Sequence, residues 1–286
     1  MDDRAGGGLM TWIERHPIGA YLLWFAVVGQ AFAFMPLIFP AAPSQLFILG
    51  STLLGMLLPA LVITRIADGH EGYQRLWERI LKVRVPLAWY AFALLVLPVP
   101  AIVMALLFFG GPDAGTSVPA AVLYGYVVQG VIVLVTNNLW EEVAVMGFLQ
   151  ARLQDRHGPM RAVVLAALFF TFQHIALIIG GGAAAVLLPF FFVTAFGFRA
   201  LIGWTYNRTD SLFIVGLLHA ASNAATGGSG FFGSGVIGRL YESEPFATVL
   251  HLVAALVVGL ALIAATRGRL GSERPSATEP LASQST

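Results

Sequence analysis

Cysteine is absent from the 286 residues, and charge is scarce, with Asp, Glu, Lys and Arg together making up 11%. Without cysteine there is no disulfide, no thiol nucleophile and no Cys-ligated metal. A soluble domain carries about 25% charged residues, so this chain has too little charge to cover a water-facing surface. Apolar side chains fill the difference, at 58% of the residues and a mean hydropathy of +0.80. The expected class is therefore all-α, a polytopic membrane helical bundle. The formal net charge of +1 identifies no partner by itself. The bilayer is an expected partner and nucleic acid is not.

A spanning helix needs about 20 apolar residues. About eight runs qualify or nearly so, at 17–39, 44–64, 86–110, 118–152, 160–179, 183–205, 211–226 and 246–266. The fourth is long enough to tilt, break or run past the membrane, and the seventh is short. The first run exceeds a signal-peptide core of about 7–15 residues, so it reads as an uncleaved span. The expected organisation is a cytoplasmic segment 1–16, a single bundle 17–266 with its functional core at 118–226, and a disordered polar tail 267–286. The loops Gly180–Gly182 and Gly227–Gly235 are Gly-rich and read as mobile.

Lys and Arg set the orientation. Arg4 and Arg15 precede the first span; Arg65, Arg75, Arg79, Lys82 and Arg84 lie between the second and third. Arg152, Arg156 and Arg161 surround the next inside turn, Arg208 lies between spans six and seven, and Arg267, Arg269 and Arg274 follow the eighth. Eight spans with both termini in the cytoplasm put all of these on one side, as in a multi-pass protein of the cell inner membrane. The exceptions are Arg239, in an outside loop, and Arg199, inside span six. Residues Gly72–Arg84 read as an amphipathic interfacial helix, with Tyr73, Leu76, Ile80 and Val83 on one face. It is expected to lie flat on the inner leaflet.

Against this apolar background Glu141 and Glu142 stand side by side in span four. A carboxylate at bilayer depth costs roughly 2.5–3.5 kcal/mol or more, and such residues mark functional sites that face polar partners. Span five carries Gln173 and His174, span six Arg199, and span seven His219, Ser222 and Asn223, whereas spans one to three hold almost nothing comparable. At about 1.5 Å per residue, Glu141 lies about 16 Å from Arg152 and His174 about 20 Å from Arg161. On the same rise, His219 and Arg199 lie about 16 Å and 14 Å from Arg208. All four reach a similar depth. His219 and Asn223 share a face at i, i+4, as do Phe170 and His174. Glu141 and Glu142 diverge by about 100°, so one can serve a site while the other takes a supporting partner.

Glu and His at one buried point can activate water. A second His and an Asn can donate hydrogen bonds to an oxyanion. Glu141, His174 and His219 are equally the donor types that hold a Zn²⁺ ion with water in an open position. Peptide-bond hydrolysis in or beside the membrane is the natural expectation, with metal-free and Zn-assisted forms both open.

The stretch Glu141-Glu142, the segment Phe170-Thr171-Phe172-Gln173-His174 and the segment His219-Ala220-Ala221-Ser222-Asn223 resemble, in order, the EExxxR, FxxxH and HxxxN/D motifs of the CPBP family. These are the intramembrane proteases that process CAAX proteins and bacteriocins. Gly147-Phe148-Leu149 and Asp210-Ser211-Leu212 add to the likeness, which covers roughly 118–226. The resemblance implies that Glu141 and His174 activate water. It implies that His219 and Asn223 stabilise the oxyanion or, in a metal form, contribute ligands. The substrate class it implies is a membrane-associated peptide or protein. By analogy of fold, a cytoplasm-facing cavity near the interfacial helix would suit a lipid-modified or tethered chain.

The chain departs from the pattern at Met146, where the family has Arg. An Arg four residues after Glu142 would face and neutralise it, so Glu142 needs another partner, and Arg199 is the candidate. The departure keeps a second reading open, a catalytically inactive scaffold or immunity factor on the same fold. A third is a proton-coupled transporter, disfavoured because the polar groups occupy one half of the chain without a repeat. His16, His70, His157 and His251 read as surface or structural. Trp140 reads as either a cavity wall or interior packing.

Overall fold

The computed structural model describes residues 4–180, 182, 184–226 and 234–272. The expected mobile loops at 180–182 and 227–235 lie outside the described residues at 181 and 227–233, as does the tail from 273 onward.

The described secondary structure is all-helical, with no strand among the described residues. In chain order the helices are α1 (Arg4–Arg15), α2 (Pro17–Ile38), α3 (Ser44–Ala67), α4 (Gly69–Ile80), α5 (Leu87–Phe109, with a turn before Pro98) and α6 (Val118–His157). They continue with α7 (Pro159–Gln173), α8 (Ile175–Gly180), α9 (Ala184–Thr209), α10 (Leu212–Thr226), α11 (Val236–Leu240) and α12 (Phe246–Ala265). Six are long and apolar enough to cross a membrane, namely α2, α3, α5, α6, α12 and Val186–Thr209 of α9. The chain is thus an integral, multi-pass membrane protein. The other two expected spans, α7 and α10, are apolar helices of 15 residues, about 22 Å at the helical rise. Helix α10 is largely enclosed by its neighbours, whereas α7 keeps an exposed apolar face at Val164, Leu165, Leu168 and Phe172.

Local chemistry sets the boundaries. Gly158, at φ +78°, ends α6 in the left-handed region, and Pro159 opens α7 at its first position. Ser211 starts α10 by accepting the Ile214 amide on its hydroxyl at 3.2 Å, while that hydroxyl donates to the Lys82 carbonyl at 2.7 Å. The span expected at 160–179 breaks at His174, whose φ −93° and ψ 6° leave the helix. The longest helix, α6, contains wider π-type turns at Leu134–Asn138 and Val143–Gln150, which bracket Leu139–Glu142. Such turns recur at functional sites because each changes the phase at which the following side chains emerge.

The main core joins α4, α5, α6, α7, α9, α10 and α12, and a second cluster packs α2 and α3 on α6 and α7. Every residue from Val143 to Gln150 is buried. Small residues bring α9 and α12 together, since a Cβ on Gly259 would sit 2.2 Å from the Gly197 carbonyl oxygen.

Three expectations are corrected. Helix α4 stops at Ile80, and Leu76 and Ile80 are buried in the main core. Its apolar face is covered by the bundle rather than laid on lipid, and Val83, beyond its end, is exposed. The tail does not leave the bundle at Arg267. Leu270 is fully buried, and its carbonyl accepts from Asn207 Nδ2 at 2.8 Å. Spans one to three are not devoid of polar function, because Gln30 donates to the Phe172 carbonyl at 2.6 Å and Thr52 to the Asn137 side chain at 2.6 Å.

Candidate active site

Three helices bring their polar side chains to one cavity of about 700 Å³, lined by Glu141 of α6, by His174 after α7, and by His219, Ser222 and Asn223 of α10. Phe170, Phe191 and Phe198 form an aromatic wall. Phe170 packs against both imidazoles, with ring centroids 4.6 Å from His174 and 5.9 Å from His219.

The two carboxylates diverge as their helical phase requires. Glu141 faces the cavity and is held by two amides, Gln173 Nε2 to Oε1 at 2.6 Å and Asn137 Nδ2 to Oε2 at 3.2 Å. The Thr52 hydroxyl fixes Asn137 in turn. Glu142 has no solvent exposure and lies behind the cavity. Arg199 Nη1 donates to both of its oxygens, at 2.8 and 2.9 Å, and His219 Nδ1 lies 2.9 Å from its Oε1. Arg199, itself fully buried, donates through Nε to Gln150 Oε1 at 2.8 Å, and Gln150 Nε2 returns a bond to the Arg199 carbonyl at 3.1 Å. The cation missing at Met146 is therefore supplied from α9. Met146 is fully buried among apolar neighbours of the main core.

These bonds fix tautomers. His174 Nδ1 lies 2.8 Å from the Phe170 carbonyl oxygen, which can only accept, so Nδ1 carries a proton. His219 Nδ1 donates to Glu142. In both rings Nε2 is the nitrogen left for the cavity.

Sequence reasoning missed several of these groups. Gln150 is the base of the Arg199 pair, Asn137 and Thr52 hold Glu141, and His251 lines the cavity rather than lying outside the cluster. Asn137 was detectable as the i−4 neighbour of Glu141. The other three are isolated polar residues without a periodic signal. Trp140 is not in the cavity wall; its indole donates to the Val135 carbonyl at 2.7 Å. The cavity does not adjoin α4 either, because no residue of α4 lines it.

The donor set was tested against a metal. Among the described residues no three His, Asp or Glu side chains come together as ligands. Both Glu141 oxygens already face amide donors. The Zn²⁺ set of Glu141, His174 and His219 does not fit this geometry.

Residues 123–225 match the family model described as Type II CAAX prenyl endopeptidase Rce1-like. The matched segment runs from α6 to α10 and contains all three motifs, which supports the CPBP and CAAX-protease family and, at that level, a membrane protease. No curated protein matches the chain.

Proposed function

From a segment that matches a family of membrane endopeptidases, we propose that this chain is a metal-free intramembrane endopeptidase in which Glu141 is the general base. The observation that carries the reading is the division of labour between the adjacent carboxylates. Glu142 is neutralised by Arg199 and committed to His219, while Glu141 is turned into the cavity beside the same histidine.

A water between Glu141 and His174 gives a proton to the Glu141 carboxylate, and its oxygen bonds to the scissile carbonyl carbon. The O–H that stays on the attacking oxygen donates a hydrogen bond to His174 Nε2, since the His174 Nδ1 proton is engaged by the Phe170 carbonyl. The oxyanion that forms takes hydrogen bonds from Asn223 Nδ2 and from Nε2–H of the doubly protonated His219, whose Nδ1–H is held by Glu142. When the C–N bond breaks, the proton held by Glu141 goes to the leaving amine. Gln173 and Asn137 position Glu141 and touch no substrate.

The test uses the purified full chain in lipid vesicles with a fluorogenic apolar peptide. Glu141→Gln keeps the size and one of the two amide contacts but cannot take a proton. Cleavage should fall by about 10²–10⁴ with thermal stability retained. Wild-type cleavage by Glu141→Gln would remove Glu141 as the base, and a wild-type chain inert toward a panel of such peptides would favour the inactive-scaffold reading.

A further inference from the structure

The cavity lies in one half of the bundle only. Its walls come from the last turns of α2, the first half of α3, α8, the ends of α7 and α10, the first half of α9 and the start of α12, with Asn137 and Glu141 in the middle of α6 as its deepest side. Apart from the α6 residues, all of these meet at the same end. At the opposite end lie Arg15, Arg65, the basic residues of α4 and its following loop, Arg152, Arg156, Arg161, Arg208, Arg267 and Arg269. Arg239 is the described basic residue at the cavity's own end, and Arg199 is interior.

Toward the basic end the cavity is closed. The Glu142–Arg199–Gln150 layer has no solvent exposure, and Val143–Gln150 is buried throughout. Behind it Gly147 packs on Leu212 and Leu76 so closely that an added Cβ would lie 2.8 Å from Leu212. Toward the other end the wall is Ala33, Pro36, Leu37, Ser44, Ile48 and Leu177, of which Leu37 is 46% and Leu177 66% exposed.

We propose that the substrate is an internal apolar stretch of a membrane-borne polypeptide that enters from the end opposite the basic belt, which the positive-inside rule makes the non-cytoplasmic half of the bilayer. The proposal rests on the peptidase reading of Glu141. The lining chemistry argues for the occupant. Among the described lining residues there is no Lys or Arg to receive a substrate's terminal carboxylate, which disfavours a chain end and favours an internal bond. The mouth is apolar and faces the lipid-exposed side chains of α2 and α8. A scissile bond must be presented unwound, and unwound backbone inside a membrane persists only where protein or cavity water satisfies it. Ser44, Ser222 and Asn223 put hydroxyl and amide groups along the apolar cavity for that purpose, whereas the hydroxyls of Ser51, Thr52 and Thr194 donate to Gly29, Asn137 and Phe191.

The chain has no cysteine, so single thiols can be introduced without background. In sealed, oriented vesicles, Ala114→Cys marks the cavity end and Arg156→Cys the basic end. Ser44→Cys at the mouth and Ser222→Cys in the cavity should react with a membrane-impermeant maleimide from the Ala114→Cys side only. A synthetic apolar peptide of about 20 residues, added to the membrane, should abolish labelling of Ser222→Cys while sparing Ala114→Cys. Reaction of Ser222→Cys from the Arg156→Cys side, or from neither side, would overturn the proposal. So would protection by added diacyl lipid but not by peptide, which would identify an acyl chain as the occupant. Labelling needs no catalysis, so loss of the peptidase reading through an active Glu141→Gln variant is a separate outcome. A Glu141→Gln variant that is inert combined with entry from the basic side sinks the access proposal alone.

Discussion

Arg199 and Glu142 carry opposite charges at zero exposure, and neither survives the loss of the other. Removing one partner of a buried pair leaves an uncompensated charge, at a cost of about 3–5 kcal/mol. Arg199→Met should therefore lower thermal stability sharply in detergent, and Glu142→Gln should do so less because it keeps acceptor and donor groups. Joint replacement Arg199→Met with Glu142→Leu should regain most of the lost stability, since replacing both partners by apolar groups is often neutral. It should not regain cleavage, because His219 then has no acceptor for Nδ1. Equal stability in Arg199→Met and wild type would refute the pairing as a structural element. Much of this was legible at the level of single residues. Adjacent carboxylates in an apolar helix needed partners at their own depth, and the helical rise alone put Arg199, His174 and His219 there. Gln150 and His251 were illegible because one isolated polar side chain carries no phase information, and only the packing of α9 and α12 on α6 and α10 reveals what they face.

Between elements, contacts are set by what the helices lack at the crossing. Gly197 and Gly259 let α9 and α12 touch backbone to backbone, and the Arg199 side chain emerges half a turn from that contact. Gly259→Val would place a branched side chain where the Gly197 carbonyl already sits. The separation should cost about 1–3 kcal/mol as overpacking, read as a lowered unfolding temperature, with cleavage falling alongside as the Arg199 anchor shifts. An unchanged unfolding temperature would show that the crossing relaxes freely. A different element contact holds the α5–α6 loop to the α11–α12 loop. Asp113 accepts from the Ser243 amide at 2.8 Å and the Ser243 hydroxyl at 2.7 Å, and these bonds hold its carboxyl below the usual carboxylate range. A depressed folded value means that the contact stabilises fully above the ordinary Asp value and is lost as pH falls through the lowered one. The protection of the Ser243 amide against hydrogen exchange, taken relative to its intrinsic rate at each pH, should therefore be high at neutral pH and fall in acid, and Asp113→Asn should flatten that dependence. The loop pairing had no counterpart in the sequence pattern, since it joins residues 130 apart.

At the scale of the whole molecule, the distribution of charge decides which way the bundle faces. Eight apolar runs were legible in the sequence, but two of the helices they form, α7 and α10, are shorter than a span, and α10 is enclosed in the bundle; run length alone does not separate an enclosed helix from a spanning one. The belt of Arg and Lys at one end is a stronger statement than the count, because positive residues near span ends are retained in the cytoplasm. If the helices alternate in direction as α2 through α12 do, then the turn after Val83 and the tail share the cytoplasmic side, and the loop at Gly111 faces away from it. A protease-sensitive tag inserted after Val83 should survive protease added to intact cells, whereas the same tag inserted after Gly111 should be cut. Cutting after Val83 with protection after Gly111 would invert the molecule. The cavity, which opens at the Gly111 end of the bundle, would then face the cytoplasm and suit the tethered chains that the family name implies. The two tags thus determine the side on which any substrate must present its bond.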